Sequence, residues 1–206
     1  MIRERLLEAR SGDAVLGEEF GTTGSGDRRW IVDPIDGTKS YVRGIPVWAT
    51  LLALEVAGEP VVGVVSAPAL GRRWWAARGA GAHANGERIE VSRVRDLGDA
   101  QVCISSIRSW ENVGLGEGAL ELTRRAWRSV GYGDFWGHML VAEGSAEVMV
   151  EPELALWDVA ALRPIVEEAG GRCSDRNGGP AVGPGGCITT NAILHDVVLA
   201  QLGSTT

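Results

Sequence analysis

Lysine is almost absent from this 206-residue chain: of twenty basic residues nineteen are arginine, and only Lys39 is lysine. The pairs Arg28-Arg29, Arg72-Arg73 and Arg124-Arg125 are scattered along the chain. With a formal net charge of −7, they fit solvated faces and salt bridges, and a stripe that tracks a nucleic-acid backbone is excluded. Cysteine is scarce too. Cys103, Cys173 and Cys187 sit in apolar or strand-like contexts without the spacing of a zinc site or a redox pair, so they are expected to be buried thiols. Few cysteines and no secretory signal point to a reducing cytoplasm. No apolar stretch reaches the length needed to span a bilayer as a helix, and no membrane partner is expected. Glycine, by contrast, is abundant at 29 residues, but it is dispersed as turns and caps, with no low complexity and no internal repeat. The 8 tryptophans read as core or interface anchors, since no basic groove accompanies them.

The length suits one domain, 1–206, with approximate lobes 1–97 and 98–206. Apolar β-rich runs at 50–56 and 61–66 flank Ala57-Gly58-Glu59-Pro60 and read as a hairpin, which 73–77 continues. Gly79-Ala80-Gly81 and Asn85-Gly86 supply turns. Around 95–100 the pattern changes: strands at 101–105, 146–150 and 186–190 alternate with helices at 118–129, 134–143, 158–169 and 192–202. Such alternation predicts an α/β fold of helices layered on sheets.

The most informative segment is Asp33-Pro34-Ile35-Asp36-Gly37-Thr38. Trp30, Ile31 and Val32 have strong β propensity, so Asp33 is expected at or just past a strand end, facing a crevice. Pro34 has no N–H to give a sheet and is expected to end the strand. Asp36-Gly37 is a turn pair, after which 38–42 can wind as a helix whose first N–H groups, at Gly37 and Thr38, favour an anion. Two carboxylates this close repel unless a cation lies between them. All-oxygen ligation suits Mg²⁺, which usually also takes phosphate oxygens.

Two further acidic elements accompany it. Val15-Leu16-Gly17-Glu18-Glu19-Phe20 is an apolar run ending in two glutamates, in a loop or hairpin that feeds the next strand. Glu151 precedes Trp157-Asp158-Val159-Ala160-Ala161, where Asp158 reads as an N-cap opening a helix to Ala169 that Gly170-Gly171 stops. Capping and metal ligation are compatible at a helix start that faces a cleft. Taken singly, each of these elements also has a bland reading, as solvated surface, a cap or a polar loop. His138, beside Trp136 and Met139 on the helix over 134–143, reads as a packed histidine and is left out of the site.

In combination, GEE at 17–19, WIVDPIDGT at 30–38, and WDVAA at 157–161 followed by EAGG at 168–171 resemble the inositol monophosphatase family. The resemblance runs from about Leu6 to the C-terminus. It implies an αβαβα layered sandwich of the sugar-phosphatase type, a homodimer, and a metal-dependent phosphatase. Within the family, the stretches 36–54, 66–82 and 133–162 are most similar to bacterial histidinol-phosphate phosphatases. Carried over position by position, the resemblance implies metal ligation by Glu18, Asp33, the Ile35 carbonyl, Asp36 and Asp158, holding two or three Mg²⁺, with Mn²⁺ as a possible substitute. Glu18 and Thr38 would act on the attacking water, and the Gly37 and Thr38 amides would hold the phosphate. Glu151 and Asp134 would meet the alcohol part of a small phosphorylated substrate. Histidinol phosphate hydrolysis in histidine biosynthesis is the expected reaction, and an inositol 1-phosphate or broader sugar-phosphate phosphatase is the alternative.

The chain also departs from the family pattern. Residues 1–10 have helical apolar spacing but start with no capping residue and no preceding loop. The family has an N-terminal helical region before this point, with an acidic motif whose Asp supports the threonine, and no segment here matches it. The expectation is a fold lacking that region, through a misplaced start codon or as a short form. A truncated, non-catalytic metal- or phosphate-binding module is thus the reading from another class, which calorimetric Mg²⁺ titration beside a turnover assay separates.

Overall fold

The computed structural model describes residues 2–19 and 21–203. Met1, at the head of the expected N-terminal helix, Phe20, at the end of the first acidic run, and 204–206 lie outside the described residues.

Two sheets and the helices between and behind them make up the fold. The first sheet has eight strands in the order β2-β1-β3-β4-β5-β6-β7-β8. They are β1 (Ala14–Gly17), β2 (Gly21–Thr23), β3 (Arg28–Asp36), β4 (Ala49–Val56), β5 (Glu59–Ala67), β6 (Arg72–Ala77), β7 (Ala82–Ala84) and β8 (Glu87–Ile89). From β3 onward it is an antiparallel meander, whereas β1 pairs antiparallel with β2 and parallel with β3. Strict alternation along β4 turns Ala49, Leu51 and Ala53 into the core and leaves Leu52 and Leu54 half-buried.

The second sheet has the order β10-β9-β11-β13-β12, from β9 (Gln101–Ile104), β10 (Arg128–Val130), β11 (Val148–Glu151), β12 (Arg172–Ser174) and β13 (Cys187–Thr190). Every residue of β11 and β13 is buried, as central strands covered on both faces require.

The helices are α1 (Ile2–Ala9), α2 (Thr38–Val42), α3 (Ile107–Asn112), α4 (Gly116–Arg125), α5 (Asp134–Ala142), α6 (Leu156–Val159), α7 (Leu162–Glu168) and α8 (His195–Leu202). Between the sheets, α5 and α7 bury Phe135, Met139, Leu162 and Ile165 against Ile31, Leu51, Val65 and Trp74. On the far face of the second sheet, α3, α4 and α8 bury Trp110, Leu122, Val198 and Leu202 against Val102, Val148 and Ile188. The expected layered α/β sandwich is thus the observed one, with α1 beside β1. All three cysteines are free and buried.

Several boundaries differ from the sequence reading. Pro34 does not end its strand: β3 runs to Asp36, and the pairing with β4 slips between Asp33 and Asp36. The missing N–H of Pro34 falls inside this bulge, and its carbonyl accepts the Thr50 hydroxyl at 2.9 Å. The helix expected over 118–129 stops at Arg125, because Arg128–Val130 pair in parallel with Gln101–Cys103. The run 158–169 is two helices. Pro164 cannot donate to the Ala160 carbonyl four residues back and clashes with it, so the chain breaks between Val159 and Leu162. The last helix starts at His195, after a turn in which the Asn191 side chain accepts the Leu194 N–H at 3.2 Å.

Candidate active site

Asp33, Asp36 and Asp158 converge where β3 meets α6, each offering a carboxylate oxygen within 4.8 Å of the others. In each case a backbone N–H holds one oxygen of the carboxylate. The Asp33 Oδ1 accepts from Ile35 at 2.9 Å, the Asp36 Oδ2 from Phe135 at 2.7 Å, and the Asp158 Oδ2 from Ala155 at 2.7 Å. The Asp36 bond is buried and ties the end of β3 to the start of α5, joining the two halves of the chain at the site. Asp158 is not the N-cap expected from the sequence. It occupies the third position of α6 and reaches back to the N–H of the N-cap residue Ala155, satisfying a different orphan donor from the one an N-cap side chain would take.

These acids line a cleft of about 150 Å³ with Glu18, Ile35, Gly37, Thr38, Lys39, Asp134 and Leu154. Glu18 arrives there through topology. The parallel register sets Gly17 opposite Val32, so the next residue, exposed in the turn after β1, faces the Asp33 end of β3. Gly37 has φ 78°, and a Cβ there would lie 2.9 Å from the Val47 carbonyl, so only glycine fits. The Thr38 hydroxyl donates to the Ile35 carbonyl at 3.0 Å.

The electrostatics are those of acids crowded without enough positive charge. Burial, then the charges of Glu18, Asp158 and Asp134, push the Asp33 carboxyl up to about 7. Burial, then Glu151, Glu18 and Asp134, raise Asp158 to about 6. Asp36 is raised well above the ordinary carboxylate range by burial and then by Asp134. Asp134 is raised by burial and then by Glu151, against the relief of Lys39. An all-carboxylate cluster that resists ionisation on its own is a site for a hard cation.

Glu151 does not line the cleft. It is buried at the end of β11, behind Asp134, and its Oε1 accepts the Asp134 N–H at 3.3 Å. Asp134 itself, at the start of α5, has φ 56°, a left-handed conformation that a non-glycine residue adopts only under constraint. Two neighbours escaped the sequence reading. Lys39 lines the cleft, and its place directly after Thr38 was the available signal. His138 is fully buried, as its apolar surroundings imply, yet its ring bonds Glu151, a contact no sequence spacing announces.

The sequence profile of the inositol monophosphatase family matches residues 1–205. A histidinol-phosphatase of Streptomyces coelicolor is 52% identical over 98% of this chain and 79% of its own length. One of Mycobacterium tuberculosis is 50% identical over 98% of this chain and 80% of its own. Among solved structures, an inositol monophosphatase from Zymomonas mobilis superposes with a TM-score of 0.90 at 28% identity, covering 98% of this chain and 80% of that one. Among the described residues no helix is long and apolar enough to cross a membrane. With a family match over nearly its whole length, the family's layered fold and an acidic cluster able to hold a metal, the chain belongs to the inositol monophosphatase family of phosphoric monoester hydrolases.

Proposed function

We propose that the chain hydrolyses histidinol phosphate to histidinol and phosphate with Mg²⁺ held by Glu18, Asp33, the Ile35 carbonyl, Asp36 and Asp158, Mn²⁺ serving as a substitute. The observation that carries the reading is the convergence of two buried aspartates, Asp33 and Asp36, with the half-buried Asp158, each pre-oriented by a backbone N–H, beside Gly37 and Thr38. Bound there, the divalent ions would neutralise phosphate charge, lower the pKa of an attacking water and stabilise the leaving alkoxide. The chain's own groups supply the rest. The Gly37 and Thr38 amides hold the phosphate, while Glu18 orients the water and accepts its proton. The Thr38 hydroxyl, fixed by its bond to Ile35, keeps its oxygen available to that water. No covalent phosphoenzyme is needed, because displacement in line by water is direct.

Substrate choice rests on the other side of the cleft. Histidinol carries an ammonium and an imidazole; Asp134, in the cleft lining, offers them an acceptor, and Glu151 adds its negative charge from behind it. The 50–52% identity to two histidinol-phosphatases favours this alcohol over inositol. One domain of two lobes, 1–97 and 98–206, fits the reading, with the Asp36 bond to Phe135 at their junction. Phosphate release from histidinol phosphate and inositol 1-phosphate, measured side by side with Mg²⁺, is the test. Faster turnover of the inositol ester would overturn the substrate, and a broader sugar-phosphate phosphatase would take its place.

A further inference from the structure

Both ring nitrogens of the fully buried His138 are engaged: Nδ1 with the Thr189 hydroxyl at 2.8 Å and Nε2 with Glu151 Oε2 at 3.1 Å. Facing a carboxylate, Nε2 is the donor whichever charge the ring carries. The other carboxylate oxygen of Glu151 accepts the Asp134 N–H at 3.3 Å. Asp134 opens α5 and His138 follows one turn later, so a single carboxylate bridges two successive turns of that helix. What it holds in place is the strained left-handed Asp134, whose side chain lines the cleft. Behind the imidazole the network continues. The Thr189 oxygen lies 3.3 Å from the Cys173 sulfur and 3.5 Å from that of Cys187, all of them buried.

The geometry points to His138 as a positioning residue for the alcohol side of the site: through Glu151 it sets where the cleft-lining carboxylate of Asp134 stands. The inference rests on the reading of Asp134, backed by Glu151, as the group that meets the alcohol. His138 touches no reacting atom, and its effect is transmitted entirely by the carboxylate it orients. Without the imidazole donor, Glu151 loses its anchor at Oε2, and the turn at Gly133-Asp134 loses the rigidity of its acceptor.

Steady-state kinetics of His138→Gln, His138→Leu and Thr189→Val test it, each with two substrates. One is whichever of histidinol phosphate and inositol 1-phosphate the wild type turns over faster. The other is p-nitrophenyl phosphate, whose leaving group offers these carboxylates no N–H or O–H. For His138→Leu, KM for the alcohol ester is expected to rise about tenfold or more relative to the aryl ester, the size of one lost hydrogen bond to a buried charged group. His138→Gln, which can still donate to Glu151, restores most of it, and Thr189→Val produces a smaller rise of the same kind. An unchanged ratio in the folded variants overturns the inference, as does a Gln variant that behaves like Leu, because then the ring only fills space. Should the Leu variant fail to fold, the Gln and Val variants decide through the same ratio. Wild-type preference for inositol 1-phosphate would sink the substrate proposed above and leave this comparison intact.

Discussion

Each of the three clustered aspartates has one oxygen committed to a backbone N–H. The remaining lone pairs therefore point in fixed directions, and a cation meets ligands that need little reorganisation. Asp36 gives the cleanest single test. Asparagine keeps an amide oxygen able to accept from Phe135 and removes only the charge. Loss of several kcal/mol of charge stabilisation in the transition state corresponds to a fall in kcat on the order of 10³-fold. In EDTA the melting temperature of Asp36→Asn should equal or exceed that of the wild type, because burial and Asp134 already disfavour the ionised carboxylate. Phosphate-release assays and thermal melts read both quantities. Turnover within tenfold of the wild type would remove Asp36 from the metal site.

Between elements, the position of Asp158 depends on how closely α6 and α7 approach the first sheet. A Cβ on Gly63 in β5 would overlap the Ala161 carbonyl, between the two helices, and would lie 3.0 Å from the Pro164 ring. Gly63→Ala is therefore expected to destabilise the fold by about 1–3 kcal/mol, the usual cost of overpacking. Since Ala161 follows Asp158 by three residues, Mg²⁺ affinity should weaken with it. Calorimetric titration and denaturant melts would show both changes, and a variant that melts and binds like the wild type would mean the approach is not tightly fixed. The hairpin β4–β5 was legible in the sequence because two apolar β-rich runs flank the turn Ala57-Gly58, with φ 52° and 85°. The three aspartates that converge were legible because they sit in short motifs at strand and helix ends. Other features depend on pairing between distant segments: the bulge that carries β3 past Pro34, the strand β10 that truncates α4, and the bond from His138 to Glu151. Local propensity carries no record of such partners.

Across the whole molecule the cleft is a charge imbalance that links folding to metal and proton binding. Among the described residues, Glu18, Asp33, Asp36, Asp134 and Asp158 line it with Lys39 as the one basic side chain. Asp33 titrates near 7 and Asp158 near 6 in the fold, against 3.8 for an ordinary aspartate. Between about pH 4 and about pH 7 the folded, metal-free protein thus binds more protons at these groups than the unfolded chain does. Their contribution to stability is fully present below about pH 4 and is lost as pH rises through the folded values. His195 works the other way. Burial, then the Arg172 charge, lower its pKa from 6.5 to about 4, so its contribution grows over part of the same range. The melting temperature in EDTA alone therefore mixes opposing slopes. The difference between melts with Mg²⁺ and with EDTA isolates the cleft, because His195 contributes alike to both. A cation must displace protons from Asp33 and Asp158 at low pH but meets ionised ligands at high pH, so that difference should be small near pH 5 and grow steadily toward pH 8. Mg²⁺ binding should release protons below about pH 7, seen as an enthalpy that depends on the buffer's ionisation heat. A Mg²⁺ effect on melting that stays flat across this range would mean that the cation binds somewhere other than these carboxylates.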